Sequence, residues 1–415
     1  MTMPLTATAS PPRSSNRYQL MLVGLLSLNF GIVFFDRNAL NFLMPFVQPD
    51  LHLSNLQVGM LASVLSLTWA VAAFVIGRIS DRTGKRKAVI IVCTLAFSLC
   101  SIGSALAATF VMLLAARMLM GVAEGGILPI SHSLIATEVA PRHRGVAMGV
   151  TQNFGSNLLG TTVAAVLLVQ LAQAYGWRTS FLLSAAPGLL FAALIWLFVR
   201  EPAPDAPVAG APARRLTLGE AFATRNIWLC SIIAILLVAY LVICWAFMPL
   251  FLTQVRGFAP ATMGWLMGTL GISAAIGSFV VPGLSDRIGR KPIMIVVPLI
   301  GVILPLGAMF HAGSTMMLAA IFFLGWALNG TFPMFMGTIP SESVDAHHTT
   351  TAMGLVMGMG ELIGGVASPS VAGLAADRFG LAAPLWIMLG LCIVAGVLAL
   401  MLEETAPARR RPRNM

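Results

Sequence analysis

Apolar runs of about 20 residues or more, each closed by a short polar stretch, recur along almost the whole chain. Twelve can be counted, near 19–46, 55–79, 88–108, 111–137, 146–170, 179–199, 226–252, 262–283, 293–310, 315–339, 350–375 and 381–402. Each is long enough to cross a hydrocarbon layer of about 30 Å as a helix. The pattern therefore predicts an all-α membrane protein with twelve transmembrane helices.

The longest internal polar stretch, "REPAPDAPVAGAPARRLTLGEAFATRN" (200–226), separates six runs from six. Its Pro/Ala bias reads as a flexible linker. The two sides are related: "SDRTGKRK" starts at Ser80 and "SDRIGRKP" at Ser285, 205 residues later, and "AMG" recurs at the same offset from 147 to 352. One fixed offset points to a duplicated six-helix unit. The expected organisation is a disordered tail over 1–17, a six-helix bundle over 18–199, a linker over 200–225, a second bundle over 226–403 and a basic tail over 404–415. Parallel repeats of this kind enclose a midplane cavity in known transporter plans.

Composition sharpens this picture. Hydrophobic residues make up 58% of the 415 and charged residues 10%, far below the ~25% charged of a soluble domain. The net charge of +10 would raise the question of nucleic acid in a soluble protein. Here, with the N-terminus placed inside, most Lys and Arg fall in inner loops, and only Arg178, Arg256 and Arg378 fall outside. That is the positive-inside asymmetry. It predicts a bacterial inner-membrane protein with both termini cytoplasmic, contacts with anionic lipid and no nucleic-acid partner. The first apolar run is too long for a signal peptide. Cys93, Cys100, Cys230, Cys244 and Cys392 lie in apolar runs without metal-type spacing and read as packing residues. No phosphate-binding GxxxxGK[ST] loop, HExxH motif or nucleophile constellation occurs, so neither an ATP-driven pump nor an enzyme is expected, and no cofactor. The protein is expected to act as a monomer.

The basic turn "GRISDRTGKRK" (77–87) offers Gly77 for close helix contact, Gly84 for a tight turn, and Asp81 and Arg82 as partners for a neighbouring helix end. Its second copy supplies Asp286, Arg287 and Gly289. Duplication favours a conformational latch over a merely solvated loop. A looser echo, "GLAADRFG" (373–380), lies on the opposite side and receives no role. Gly77, Asp81, Arg82, Gly84, Lys85 and Arg86, with the twelve-span plan, resemble the signature loop of the major facilitator superfamily. That resemblance implies the major facilitator fold of two facing bundles and says little about substrate.

Few ionisable groups sit deep in the spans: Asp36 and Arg37 in "FFDRNAL", Arg117 and Glu124 in "RMLMGVAEGG", and Glu361 in "MGMGELIGG". Charges there are costly, by roughly 2.5 to 17 kcal/mol. Arg117 and Glu124, seven residues apart, share one helix face about 10.5 Å apart along the axis. Asp36 falls between them in depth, so the two pairs are expected to converge on one cavity. They could be structural ion pairs, but a buried pair gains little over apolar packing. Burial favours a neutral carboxyl and a nearby guanidinium favours the ionised one. An anion that occupies the Arg thus releases the acid to take a proton, and the loaded cavity carries little net charge.

"DRNAL" in span 1 and Arg-x6-Glu in span 4 resemble the anion:cation symporter family, which includes bacterial sugar-acid/proton symporters. The resemblance implies proton coupling by Asp36 and Glu124 and a grip on a substrate carboxylate by Arg37. Further cavity candidates are Arg117, Trp69, Gln152, Asn153, Asn157, Tyr240, Trp245, Asn329 and Glu361, although interhelical bonding or packing could account for any of the uncharged ones. Glu361 could be a third proton site or a neutral acid bonded to backbone. Few hydroxyls in the second half lean toward an aromatic or short aliphatic monocarboxylate over a sugar acid.

The function expected is import of a small organic anion with protons. One alternative is a proton-driven exporter, which usually carries a Gly-Pro motif in span 5; here "GVAMGVTQNFGSNLLG" has no proline. Another is a transporter-like anion sensor, for which the cytoplasmic segments are short.

Overall fold

A computed structural model of the protein describes residues 15–140, 143–201, 224–345 and 348–406, apart from the side chains of Asp81 and Thr350. Most of the expected linker and both outer tails lie outside the described residues. Within them there is no strand, and twelve helices are long and apolar enough to cross a membrane. In the N-terminal bundle these are α1 Asn16–Asp50, α2 Asn55–Ser80, α3 Arg86–Ala105, α4 Phe110–Glu138, α5 Arg144–Tyr175 and α6 Trp177–Phe198. The C-terminal bundle has α7 Arg225–Val255, α8 Pro260–Ile288, α9 Arg290–Phe310, α10 Thr315–Ser343, α11 Thr351–Phe379 and α12 Ala382–Ala399.

Local signals set the helix ends. Ser15 accepts from the Tyr18 N–H and caps α1. Ser54 and Gln57 form a reciprocal capping box on α2. Gly84, at φ +67°, closes the extended end of α2 in the left-handed region that favours glycine. The basic turn after α8 ends likewise on Gly289, at φ +118°.

Each half closes on itself in the same way. The Glu201 carboxylate accepts from the Lys87 N–H at the start of α3 (3.0 Å). Glu404 accepts from the Arg290 and Lys291 N–H groups at the start of α9 (2.8 and 3.2 Å). A carboxylate at a helix N-terminus satisfies orphan donors and complements the helix dipole. The second residue of the expected linker and the first of the expected tail thus finish the two bundles.

Among the described residues, the hydrogen bonds between the bundles cluster toward one end. There Asp377, near the end of α11, accepts from the Asn55 and Leu56 N–H groups at the start of α2 (2.8 and 2.9 Å). Gln254 of α7 donates to Gln48 of α1 (2.8 Å), and Thr162 of α5 to the Gly268 carbonyl of α8 (3.2 Å). Small residues allow this approach: a Cβ on Gly264 would lie 2.6 Å from the Ala165 carbonyl oxygen. Toward the end that carries Asn16 and Ala399, the corresponding stretches have separated. Gly77, Gly145, Gly283 and Gly354 have no described neighbour within 4 Å of an added Cβ. The echo "GLAADRFG", given no role from sequence, therefore supplies the clasp of the closed end.

The basic turns behave differently. In the second copy, Arg290 pairs with Asp286 (2.5 Å) and with Glu342 of α10 (3.1 Å), tying α8, α9 and α10 together. In the first copy, Arg86 donates to Thr137 of α4 (2.7 Å). Arg82 and Arg287 are exposed, and the Asp81 side chain lies outside the described residues. These contacts stay within a bundle in this state.

Candidate functional site

A cavity of about 640 Å³ lies between the bundles, within the 300–1,000 Å³ of small-molecule sites. Its wall from the N-terminal bundle carries Arg37, Trp69, Arg117, Gln152, Asn153 and Asn157, and its wall from the C-terminal bundle carries Trp245, Asn329 and Glu361. The helices depart from regular pitch where they line it. Gln152 and Asn153 sit in a wide turn, Val150–Phe154, Glu361 in another, Gly360–Gly365, and Asn329 in a tight one, Ala327–Thr331. Carbonyls freed by such turns need partners away from water. Hydroxyls five residues on supply them: Thr161 donates to the Ser156 carbonyl (3.4 Å) and Thr162 to that of Asn157 (3.3 Å).

With Arg117, Arg37 supplies the charge of the N-terminal wall. Its side chain keeps 18% exposure, and Nη1 lies 3.9 Å from Oε2 of the fully buried Glu124. Its guanidinium lies 5.4 Å from the Trp69 ring centre and 5.6 Å from that of Phe34, within cation–π range. Trp69 is brought in by close packing of α2 on α4: a Cβ on Gly125 would lie 2.6 Å from the Trp69 carbonyl oxygen. Arg117 reaches the wall with 1% exposure. It donates to the Arg37 carbonyl (3.3 Å) and lies over the Phe181 ring. Its Nε and Nη2, and both Glu124 oxygens, have no hydrogen-bond partner among the described residues.

Convergence of all four charges on the chamber needs correction. Asp36 is fully buried and does not line the cavity. It accepts hydrogen bonds from Ser101 of α3 and from Ser184 of α6, the latter at 2.8 Å. Successive helical residues point about 100° apart, so turning Arg37 to the cavity turns Asp36 into the bundle. Glu124 likewise lies behind the wall, in contact with it through Arg37. Tyr240 is a second departure: it is buried in the C-terminal bundle, where its hydroxyl donates to the Gly301 carbonyl (3.0 Å), and it does not line the cavity.

Sequence reasoning missed Ser101 and Ser184, which are not set apart in sequence from the other hydroxyls of their spans, Thr94, Ser98 and Ser104 in one and Thr179 and Ser180 in the other. It also missed Asn38 and Asn41, which line the wall beside Arg37. Asn38 donates to the Gly160 carbonyl (2.8 Å) and Asn41 to Asn38 (3.3 Å). Their signal was present, since Arg37 and Asn41 are four residues apart and share a helix face. The five cysteines are unpaired, four of them buried.

Two facing six-helix bundles around one polar-centred cavity define a multi-pass membrane transport protein rather than an enzyme. The model of the Major Facilitator Superfamily matches residues 26–260 and 241–415, and the chain belongs to that superfamily. A relative from Cupriavidus pinatubonensis, named "Probable 4-methylmuconolactone transporter", is 30% identical over 343 residues, 80% of this chain and 78% of the relative. The hexuronate transporter of Bacillus subtilis is 30% identical over 66% of this chain and 67% of its own length. The 3-(3-hydroxy-phenyl)propionate transporter of Escherichia coli is 30% identical over 68% of each. Among solved structures, a bacterial homologue of the human lysosomal transporter Spinster, in an inward-facing, unoccupied conformation, superposes with a TM-score of 0.77. It is 21% identical, covering 93% of this chain and 96% of its own, and speaks to the fold alone.

Proposed function

We propose that the protein imports a small organic monocarboxylate together with protons, by exposing the central cavity to one side of the membrane and then the other. The observation that carries this reading is Arg37 on the cavity wall, 3.9 Å from a buried Glu124. A substrate carboxylate that takes Arg37 as a bidentate partner competes with Glu124 for it. Glu124, left without its countercharge in a dry bundle, then gains from binding a proton. Asp36, held by Ser101 and Ser184, is the second acid of the relay. With the anion on Arg37 and a proton on the acid, the substrate has replaced Glu124 as the partner of Arg37 and no charge is left uncompensated, so reorientation costs less than with the anion or the proton alone.

The relatives named for organic acids support the substrate class, and the cavity volume suits it. Trp69, Trp245 and Phe332 on the walls favour an aromatic or short aliphatic acid. The basic loops support an inner-membrane protein with both termini cytoplasmic. In that orientation the structure is open to the cytoplasm and clasped outside. The basic turns then act as latches in the opposite state, Gly77 and Gly283 supplying the close approach.

Uptake of labelled acids into proteoliposomes tests the proposal. An imposed inward proton gradient is expected to drive accumulation by the wild type. Glu124→Gln should retain exchange of labelled for unlabelled substrate and lose accumulation. Accumulation only with the gradient reversed would favour export, and undiminished accumulation by Glu124→Gln would refute the proton role.

A further inference from the structure

The two cavity walls differ in sign. The N-terminal wall carries the cations Arg37 and Arg117, whereas the charged group of the C-terminal wall is the carboxylate Glu361 on α11. No described side chain donates a hydrogen bond to Glu361, and Arg37 acts on it electrostatically from the opposite wall. The Glu361 Oε2 lies over Gly365 of its own helix, 3.2 Å from where a Cβ on that glycine would sit. Arg37 is committed elsewhere, to Glu124 at 3.9 Å and to the faces of Phe34 and Trp69.

We propose that Glu361 selects the far end of the substrate, so that the cavity takes monocarboxylates bearing a hydrogen-bond donor, a hydroxyl or an N–H, remote from the carboxylate. The inference rests on the organic-acid reading above and deepens it. An anion on Arg37 offsets a cation that faces Glu361 across the cavity. A ligand with nothing but a carboxylate therefore leaves Glu361 facing an apolar ring or chain, where it must either stay unpartnered or take up a proton, and both cost binding free energy. A ligand with a donor at its far end supplies the partner it has just removed. Such a ligand spans the two bundles, anion to α1 and donor to α11, with the Asn329 amide of α10 on the same wall. Met353 and Met357 of α11 and Phe332 of α10 line the same wall. Flexible thioethers accommodate varied skeletons, so the carboxylate–donor pairing, rather than the outline of the skeleton, carries the discrimination.

The test is binding of matched acid pairs to the purified full-length protein by calorimetry, with competition for substrate exchange in proteoliposomes as a second readout. Suitable pairs are benzoate against 3- and 4-hydroxybenzoate, and hexanoate against 6-hydroxyhexanoate. A hydrogen bond to a charged group corresponds to about 10- to 150-fold in affinity, so at least one hydroxylated partner should bind tenfold or more tighter to the wild type. In Glu361→Leu that preference should fall below about threefold, while the unsubstituted acids bind at least as tightly as to the wild type. Glu361→Gln, which keeps an acceptor oxygen, should fall between. A purely structural role predicts instead a uniform loss for both members of each pair. Equal binding of paired acids by the wild type, or a uniform loss in both variants, overturns the proposal while leaving the organic-acid reading intact. Failure of the wild type to bind any acid overturns both.

Discussion

Removal of the Arg37 guanidinium is the most direct perturbation of the site. In Arg37→Ala the cavity loses the cation that stands between a substrate carboxylate and Glu124, and Trp69 and Phe34 lose the group stacked on them. A charge-assisted hydrogen bond contributes about 1.5–3 kcal/mol. Breaking a buried pair by truncating one partner costs about 3–5 kcal/mol. Because Arg37 is 18% exposed, the lower part of that range applies. About 3 kcal/mol corresponds to roughly a 150-fold weakening of binding. Arg37→Lys keeps a positive charge and loses the planar fork and its stacking, and should weaken binding about tenfold. Calorimetry on purified protein, with a transported acid identified by uptake, measures both. Thermal melting in the absence of substrate separates affinity from folding. Binding by Arg37→Ala within threefold of the wild type would refute the central role given to this residue.

Two further outcomes concern the scaffold. Asp377→Ala removes both acceptors that hold the start of α2 against the end of α11. It should shift the population toward the oppositely facing state by about five- to 150-fold, seen as increased labelling of a cysteine introduced between α2 and α11 at the clasped end; unchanged labelling would remove the clasp role. Glu404→Ala uncaps α9 and should cost about 0.5–2 kcal/mol, read as a lower melting temperature with substrate affinity preserved.

The spans were legible because hydropathy reports the membrane directly, and a fixed offset of 205 residues reports the duplication. Arg37, Arg117 and Glu361 were legible as candidates because ionisable groups in apolar runs are rare. What each of them faces was not. Whether Asp36 or Arg37 points to the cavity depends on the roll of α1 against α3, α5 and α6, which follows from contacts such as Gly31 on Gly155 that the local sequence does not encode. Tyr240 was misassigned for the same reason, since a tyrosine in an apolar helix serves equally as a buried donor. Asp377 stood out as a motif, but its partners lie more than 300 residues away in sequence. Glu201 and Glu404 lay in stretches whose composition reads as unstructured, and a single capping carboxylate leaves no trace in composition.

These two glutamates have a consequence for how such a chain is built. Because the last turn of each half is stitched back to its own third helix, neither half relies on the other to finish it. A six-helix ancestor with that stitch could be copied head to tail and joined by almost any sequence of sufficient reach. What remained to be built between the copies was the seam, with its small residues, the Asp377 clasp and the Gln48–Gln254 and Thr162–Gly268 bonds, and the unlike charges of the two cavity walls.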